Sequence, residues 1–216
     1  RILEVLRFGA PVGIQLSLEI WAFQVATLMA GRFGAQALAG HTIVLNMASL
    51  SFMMPLGVSI GAATRVGNLI GAGDPRRAQL SAWVAFGLGG GLMTVAALVF
   101  VVARHWLPLA YTAEPPVVAI AASLLPIAAA FQICDGIQVV GGGVLRGMGR
   151  TVPAAIFNFV GYYVLAFPVG AFLAFGTSVG VAGVWWGLCI GLSSVALMLL
   201  AWIRWRGPAR VDARIR

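Results

Sequence analysis

The chain has 216 residues, of which 61% are hydrophobic and only 9% are charged, and its mean hydropathy is +0.97. Soluble domains carry about 25% charged residues, so this chain has too few charges to cover a water-facing surface. Its fourteen basic residues are all Arg and its formal net charge is +8, but the arginines lie singly or in small groups between long apolar runs. That pattern excludes the basic face of a nucleic-acid-binding protein. It predicts an integral membrane protein in contact with the lipid bilayer.

Six apolar runs are long enough to cross a membrane, since a helix needs about 20 residues to span the hydrocarbon core. Polar and glycine-rich interruptions separate them, and we predict an all-α bundle of six transmembrane helices. The predicted spans are approximately 8–30, 42–70, 80–103, 117–145, 152–175 and 181–203. Asp74 and Pro75 provide an N-cap and a first-turn Pro for the third helix. The connection 105–116 contains three prolines, so we expect it to be irregular.

The arginines are distributed unevenly between the two ends of this predicted bundle. Arg32 and Arg104 fall on the side opposite the N-terminus. The other twelve fall on the N-terminal side: Arg1, Arg7, Arg65, Arg76, Arg77, Arg146, Arg150, Arg204, Arg206, Arg210, Arg214 and Arg216. Because basic residues are retained on the cytoplasmic side of membranes, we expect both termini to be cytoplasmic.

Glycines recur at four-residue spacing, which allows helices to approach closely in lipid. The density of these pairs predicts a tightly packed bundle and does not mark a ligand site. The pairs are Gly9/Gly13, Gly57/Gly61, Gly67/Gly71, Gly87/Gly91, Gly143/Gly147, Gly183/Gly187 and Gly187/Gly191.

Two acidic residues, Glu19 and Asp135, lie near the middle of predicted spans. A carboxylate there is energetically costly, and such residues usually face a bundle interior or a wet cavity. Gln15 shares a helix face with Glu19, and Gln132 and Gln138 flank Asp135 at three-residue spacing. We therefore expect the two polar stripes to share one cavity used for ion coupling or substrate binding. In the alternative, each acid is protonated and satisfied by a neighbour on its own helix.

The ions that these acids would accept remain open at this stage. No Arg lies in the middle of a span to neutralise them, so their natural partners are a proton or a small cation such as Na⁺, with Glu19 and Asp135 as the ligands. Asn158 is a candidate for bonding across helices, and Tyr162 is a candidate for lining a cavity that accepts aromatic cations. His41 lies at a predicted helix end, where we expect it to be solvated.

No set of residues suited to catalysis is visible in the sequence. There is no Ser/His/Asp arrangement, no HExxH motif and no metal-ligand spacing in or near the spans. We therefore expect no enzymatic activity and no cofactor, apart from Na⁺ as a candidate coupling ion.

Several short segments, taken in order and with their separations, carry a family resemblance. They are GAPVGIQ (9–15) with Glu19, PLGVS (55–59), TRVGN (64–68), GAGD (71–74), DGIQ (135–138), LRGMG (145–149) and GVWWGL (183–188). Along almost its whole length the chain resembles the C-terminal half of a multidrug and toxic compound extrusion (MATE) transporter of the NorM-like branch.

The resemblance implies a six-helix lobe of a pseudo-symmetric twelve-helix transporter whose N-terminal lobe is absent from this sequence. It implies export of cationic, often aromatic, organic compounds in exchange for Na⁺ or H⁺ across a bacterial cytoplasmic membrane. In the NorM-like branch one Glu and one Asp of the second lobe carry the coupling, and these positions match Glu19 and Asp135. We expect the substrate cavity to include Gln15, Gln132, Gln138, Asn158 and Tyr162.

Other functions and assemblies stay open at this point. A lipid-linked oligosaccharide flippase of the same superfamily needs basic residues in its cavity, and the central portions of these spans contain none. A structural membrane subunit has little reason to keep two mid-membrane acids. Transporters built from repeats place their sites between the halves, so we expect this chain alone to hold a partial cavity, unless two copies pair as a homodimer.

Overall fold

The computed structural model describes residues 2–211, apart from the side chains of residues 2, 4 and 5. Its long helices are α1 (Ile2–Gly31), α2 (Ala35–Gly71), α3 (Pro75–Val102), α4 (Pro115–Gly147), α5 (Val152–Phe175) and α6 (Val181–Arg206). All six are long and apolar enough to cross a membrane, and the described residues contain no strand. The predicted all-helical fold with six spans is therefore confirmed. Arg1, Asp212, Arg214 and Arg216 lie outside the described residues.

Turn and capping residues mark the starts of α2 and α3. The carboxylate of Asp74 accepts a hydrogen bond from the backbone N–H of Arg77 at 3.0 Å, and Pro75 occupies the first turn of α3. This confirms the N-cap predicted from the sequence. Helix α2 begins at Ala35, directly after Gly34, whose φ of +97° makes a tight turn that side chains other than glycine rarely adopt. The irregular connection before α4 contains a short 3₁₀ helix, Leu107–Ala110.

The earlier start of α2 overturns one expectation from the sequence. His41 lies well inside the helix rather than at its end, and its side chain is fully buried instead of solvated. Its Nε2 is 3.0 Å from Thr27 Oγ1, and its ring packs edge-on against Trp185. These contacts join α1, α2 and α6 at one end of the bundle.

Helix α4 forms the centre of the bundle and is the most buried helix, whereas α1 is the least buried. It packs against α2, α3 and α6, while α5 pairs with α6 and α1 lies against α2 and α5. Glycines permit the closest of these contacts. A side chain at Gly143 would collide with the backbone and hydroxyl of Ser59 on α2. The close α2–α4 contact fixes the positions of polar groups on both helices.

Helix α5 changes its winding midway, which the sequence analysis does not predict. It is α-helical over Val152–Asn158, π-helical over Phe159–Ala166 and α-helical again over Phe167–Phe175. Pro168 lies two residues after the end of the wide segment. Since a proline lacks an N–H and its ring crowds the carbonyl four residues earlier, loosening the preceding turn relieves that conflict. The π-helical segment carries Tyr162, and Asn158 lies just before it.

Candidate functional site

A cavity of about 360 Å³ lies between α1, α2 and α4. Among the described residues, six polar side chains line it: Gln15, Glu19, Gln24, Ser49, Asp135 and Arg146. The rest of its wall is mostly apolar and includes the aromatic rings of Phe23, Phe52 and Phe131. The two mid-span carboxylates predicted to share a cavity thus line the same one.

Glu19 is held by a chain of hydrogen bonds that crosses three helices. Gln138 Nε2 on α4 donates to Glu19 Oε2 at 3.2 Å, and Tyr162 O–H on α5 donates to Gln138 Oε1 at 3.0 Å. Gln138 and Tyr162 are completely buried behind the cavity wall. Asn158 is also fully buried and lies beside Glu19 without a fully formed hydrogen bond. These three residues support Glu19 from behind rather than line the cavity.

Asp135 has acceptor capacity that the protein itself does not use. The residue is buried, and its Oδ1 has no hydrogen-bond partner. Gln15 Oε1, on the same cavity, also has none. A buried acceptor without a partner is costly. The Asp135 carboxylate is therefore suited to accept a proton, and both oxygens are suited to contact a cation.

Gln132 lies apart from the cavity. Its Nε2 donates to Ser51 Oγ at 2.6 Å, and both side chains are buried in the contact between α4 and α2. Of the seven residues predicted as site residues, Gln15, Glu19 and Asp135 line the cavity. Gln138, Asn158 and Tyr162 lie behind it, and Gln132 joins two helices away from it.

Sequence reasoning placed Arg146 at a helix end and did not connect it to the cavity. Its side chain reaches the cavity, and its Nη2 donates to Ser59 Oγ at 2.9 Å. A signal for this position was present in the spacing. Arg146 follows Asp135 by eleven residues, about three full turns at roughly 3.6 residues per turn, so the two share a face of α4. Among residues 2–211, no group of three or more His, Cys, Asp or Glu could hold a metal ion.

Comparison with characterised proteins gives close relatives over nearly the whole chain. The Multidrug resistance protein NorM of Burkholderia vietnamiensis is 46% identical over 205 residues, which is 92% of this chain and 44% of that protein. The Multidrug resistance protein MdtK of Yersinia pseudotuberculosis is 37% identical over 201 residues, covering 91% of this chain and 44% of the relative. The chain spans less than half the length of these curated relatives.

Solved structures agree with this relationship. The crystal structure of the eukaryotic MATE transporter AtDTX14 superposes with a TM-score of 0.89 at 28% identity, covering 98% of this chain and 48% of that chain. An outward-facing multidrug resistance MATE family transporter of the MOP superfamily, at 19% identity and a TM-score of 0.85, shares the fold. The MatE family model matches residues 11–172, three quarters of the sequence. The chain therefore belongs to the MatE family, and its six helices have the fold of about half of a MATE transporter.

Proposed function

We propose that this chain is the second lobe of a secondary antiporter that exports cationic, aromatic organic compounds in exchange for Na⁺ or H⁺. The observation that carries the proposal is the pair of carboxylates, Glu19 and Asp135, on one cavity with otherwise mostly apolar walls. The names of the NorM and MdtK relatives, which describe multidrug resistance, support it. The twelve arginines assigned to one side support a placement with both termini in the cytoplasm of a bacterial inner membrane.

The cavity offers the two kinds of contact that an aromatic cation needs. Glu19 and Asp135 attract its positive charge, and the rings of Phe23, Phe52 and Phe131 provide apolar surface and π faces. A proton or Na⁺ competes for the same carboxylates. The amide oxygen of Gln15 is a third oxygen available to Na⁺. Binding of the coupling ion and binding of the organic cation are thereby made mutually exclusive.

Export in this proposal follows from alternating access. Rocking of two lobes around a central site exposes the carboxylates to one side of the membrane and then to the other. A coupling ion entering from outside displaces the organic cation, and the emptied site returns carrying the ion. The chain's own residues supply the charge and the apolar wall, and no chemical bond of the substrate changes.

A lipid-linked oligosaccharide flippase is the competing function, and Arg146 is the observation that favours it. Such a protein needs positive charge in the cavity to meet a pyrophosphate. The lining contains one guanidinium and two carboxylates, so with all three ionised its formal charge is negative. A negative cavity attracts cations and repels a pyrophosphate. Cation export therefore fits the lining better.

The first test replaces Asp135 by Asn in the complete two-lobe transporter. We expect efflux of a fluorescent organic cation from pump-deficient cells to fall to background, because the amide cannot take up the coupling charge. The amount of protein in the membrane should stay the same. Asp74→Asn is the matched control, since Asp74 caps α3 away from the cavity and Asn caps helices equally well. Normal efflux by the Asp135→Asn protein would contradict the proposal.

The same assay identifies the coupling ion. Transport of the organic cation into inverted membrane vesicles is measured under two conditions. One imposes a Na⁺ gradient at constant pH, and the other imposes a pH gradient without Na⁺. The gradient that drives efflux in the wild type, and fails to do so after Asp135→Asn, is the coupling gradient.

A further inference from the structure

Among residues 2–211, Arg146 is the one positively charged side chain that lines the cavity. It lies in the last turn of α4 and remains partly exposed. The other ionisable groups on the lining are Glu19 from α1 and Asp135 from α4, and α2 contributes no charge to it. Tyr162, from α5, lies behind the wall. The guanidinium shares this largely apolar cavity with both carboxylates and interacts electrostatically with that of Glu19. Charges in such a space interact more strongly than in water.

Ser59 holds this guanidinium in place. Ser59 is fully buried, accepts a hydrogen bond from Arg146 Nη2 at 2.9 Å and donates its own hydroxyl to Val139 O at 2.6 Å. The close approach of α2 at Gly143 brings Ser59 to this position. A guanidinium anchored by a buried hydroxyl keeps its charge at a fixed point and loses little freedom when the cavity fills.

Gly142 lies directly against the side chains of Arg146 and Gln15. A Cβ at Gly142 would lie 2.9 Å from Gln15 Nε2 and 3.6 Å from Arg146 Nη1. The absence of a side chain lets Gln15 from α1 and Arg146 from α4 come together over the same point. Contacts from α2 and α4 therefore hold the guanidinium at a defined position in the cavity wall.

Arg146 does not neutralise Glu19 by direct pairing. Within the described part of the chain, the ion pair that the structure contains is Arg77 with Asp74, at the surface. Arg146 instead interacts with the Glu19 carboxylate at longer range, while Glu19 keeps its bond from Gln138. The carboxylates stay accessible to an incoming cation, and the field of the guanidinium acts on whatever cation arrives.

We propose that Arg146 is a specificity-determining residue that restricts the cavity to one added positive charge at a time. This inference rests on the proposed antiport function. With Glu19 and Asp135 ionised, two negative charges and one positive charge leave a formal charge of minus one. One proton, one Na⁺ or one singly charged organic cation balances it. A doubly charged cation would leave the site with a net positive charge, and the guanidinium would repel it.

The test compares two dyes in the purified two-lobe transporter. Ethidium carries one positive charge, and propidium carries the same phenanthridinium ring with two. We expect the wild type to bind ethidium more tightly than propidium. In Arg146→Gln, the ratio of the propidium Kd to the ethidium Kd should fall roughly tenfold, because one unit of fixed positive charge is removed. Arg146→Lys, which retains the charge, should keep a ratio close to that of the wild type.

Arg150→Gln is the matched control. Arg150 is exposed, lies four residues after Arg146, packs over the Trp202 ring at 5.8 Å and is not part of the cavity lining. Its replacement should leave the ratio unchanged. If Arg146→Gln does not accumulate in the membrane, Arg146→Met removes the same charge with a different side chain and carries the same expectation.

The outcomes separate the inference from the function on which it rests. A purely structural role for Arg146 weakens both dyes equally and leaves the ratio unchanged, and that result overturns the inference while the antiport function stands. Failure of the wild type to bind either dye overturns both. A ratio that falls in Arg146→Gln, and is restored by Lys, supports the inference.

Discussion

Tyr162 and Tyr163 are adjacent on α5 but bond to different parts of the lobe. Tyr162 O–H donates to Gln138 at 3.0 Å, and Gln138 in turn donates to Glu19. Tyr163 O–H donates to the backbone carbonyl of Leu18 at 3.2 Å. Only the first bond belongs to the chain that orients the Glu19 carboxylate. Replacing either tyrosine by Phe removes the same hydroxyl group. The two substitutions differ only in which hydrogen bond is lost.

We predict that Tyr162→Phe weakens binding of the coupling ion and Tyr163→Phe does not. Loss of the Tyr162 hydroxyl leaves Gln138 Oε1 without its donor and frees the amide to turn away from Glu19. The net value of one such bond is about 0.5–1.5 kcal/mol, or roughly two- to tenfold in affinity. The measurement is the ion concentration that gives half-maximal efflux. Equal shifts in the two variants would show that the Tyr162–Gln138–Glu19 chain has no role in ion binding.

The sequence reached some of these residues and missed others for identifiable reasons. The membrane cost of a carboxylate was enough to select Glu19 and Asp135, which line one cavity. Helix spacing added Gln15 and Gln138. Helix periodicity also places Arg146 on the same face of α4 as Asp135, three turns later. Because Arg146 is at a helix end, the sequence analysis did not assign it to the cavity. Ser59 could not be selected, because its contact comes from the packing of a different helix.

At the scale of the helix, glycine spacing alone does not show which glycines lie in helix–helix contacts. In α6, Gly183, Gly187 and Gly191 all lie against the backbone of α5. By contrast, a Cβ at Gly87 or Gly91 on α3, at the same spacing, would meet nothing within 4 Å. The sequence predicts a tightly packed bundle but does not distinguish glycines in contacts from glycines facing open space. That distinction depends on which helix lies opposite.

We predict that Gly187→Val destabilises the lobe and Gly87→Val does not. A Cβ at Gly187 would collide with Gly170 Cα and come within 2.6 Å of Ala166 O, so α5 and α6 would have to separate. Overpacking of this kind costs about 1–3 kcal/mol. The measurement is thermal unfolding of the purified protein in detergent. Equal melting temperatures for the two variants would mean that the α5–α6 contact does not limit stability.

At the scale of the whole molecule, the cavity has an incomplete wall. Leu16, Ile20 and Met53 line it, yet their side chains are 45%, 60% and 56% exposed. The exposed fractions show that this side of the cavity is uncovered within the lobe. Such an apolar rim is suited to contact with another protein element, and repeat-built transporters place their sites between halves.

We therefore predict that efflux requires a second lobe. The chain is expressed in pump-deficient cells alone and together with a matching first lobe from a full-length relative, and ethidium efflux is measured in both. Efflux is expected only in the second case, because a cavity open on one side cannot alternate between the two faces of the membrane. Met53→Asp, placed on the rim, should prevent the lobes from assembling, whereas Leu98→Asp, on the exposed face of α3, should leave the lobe–lobe contact intact. Efflux by the chain alone would instead indicate that two copies close the cavity as a homodimer, with two sets of Glu19 and Asp135 facing each other.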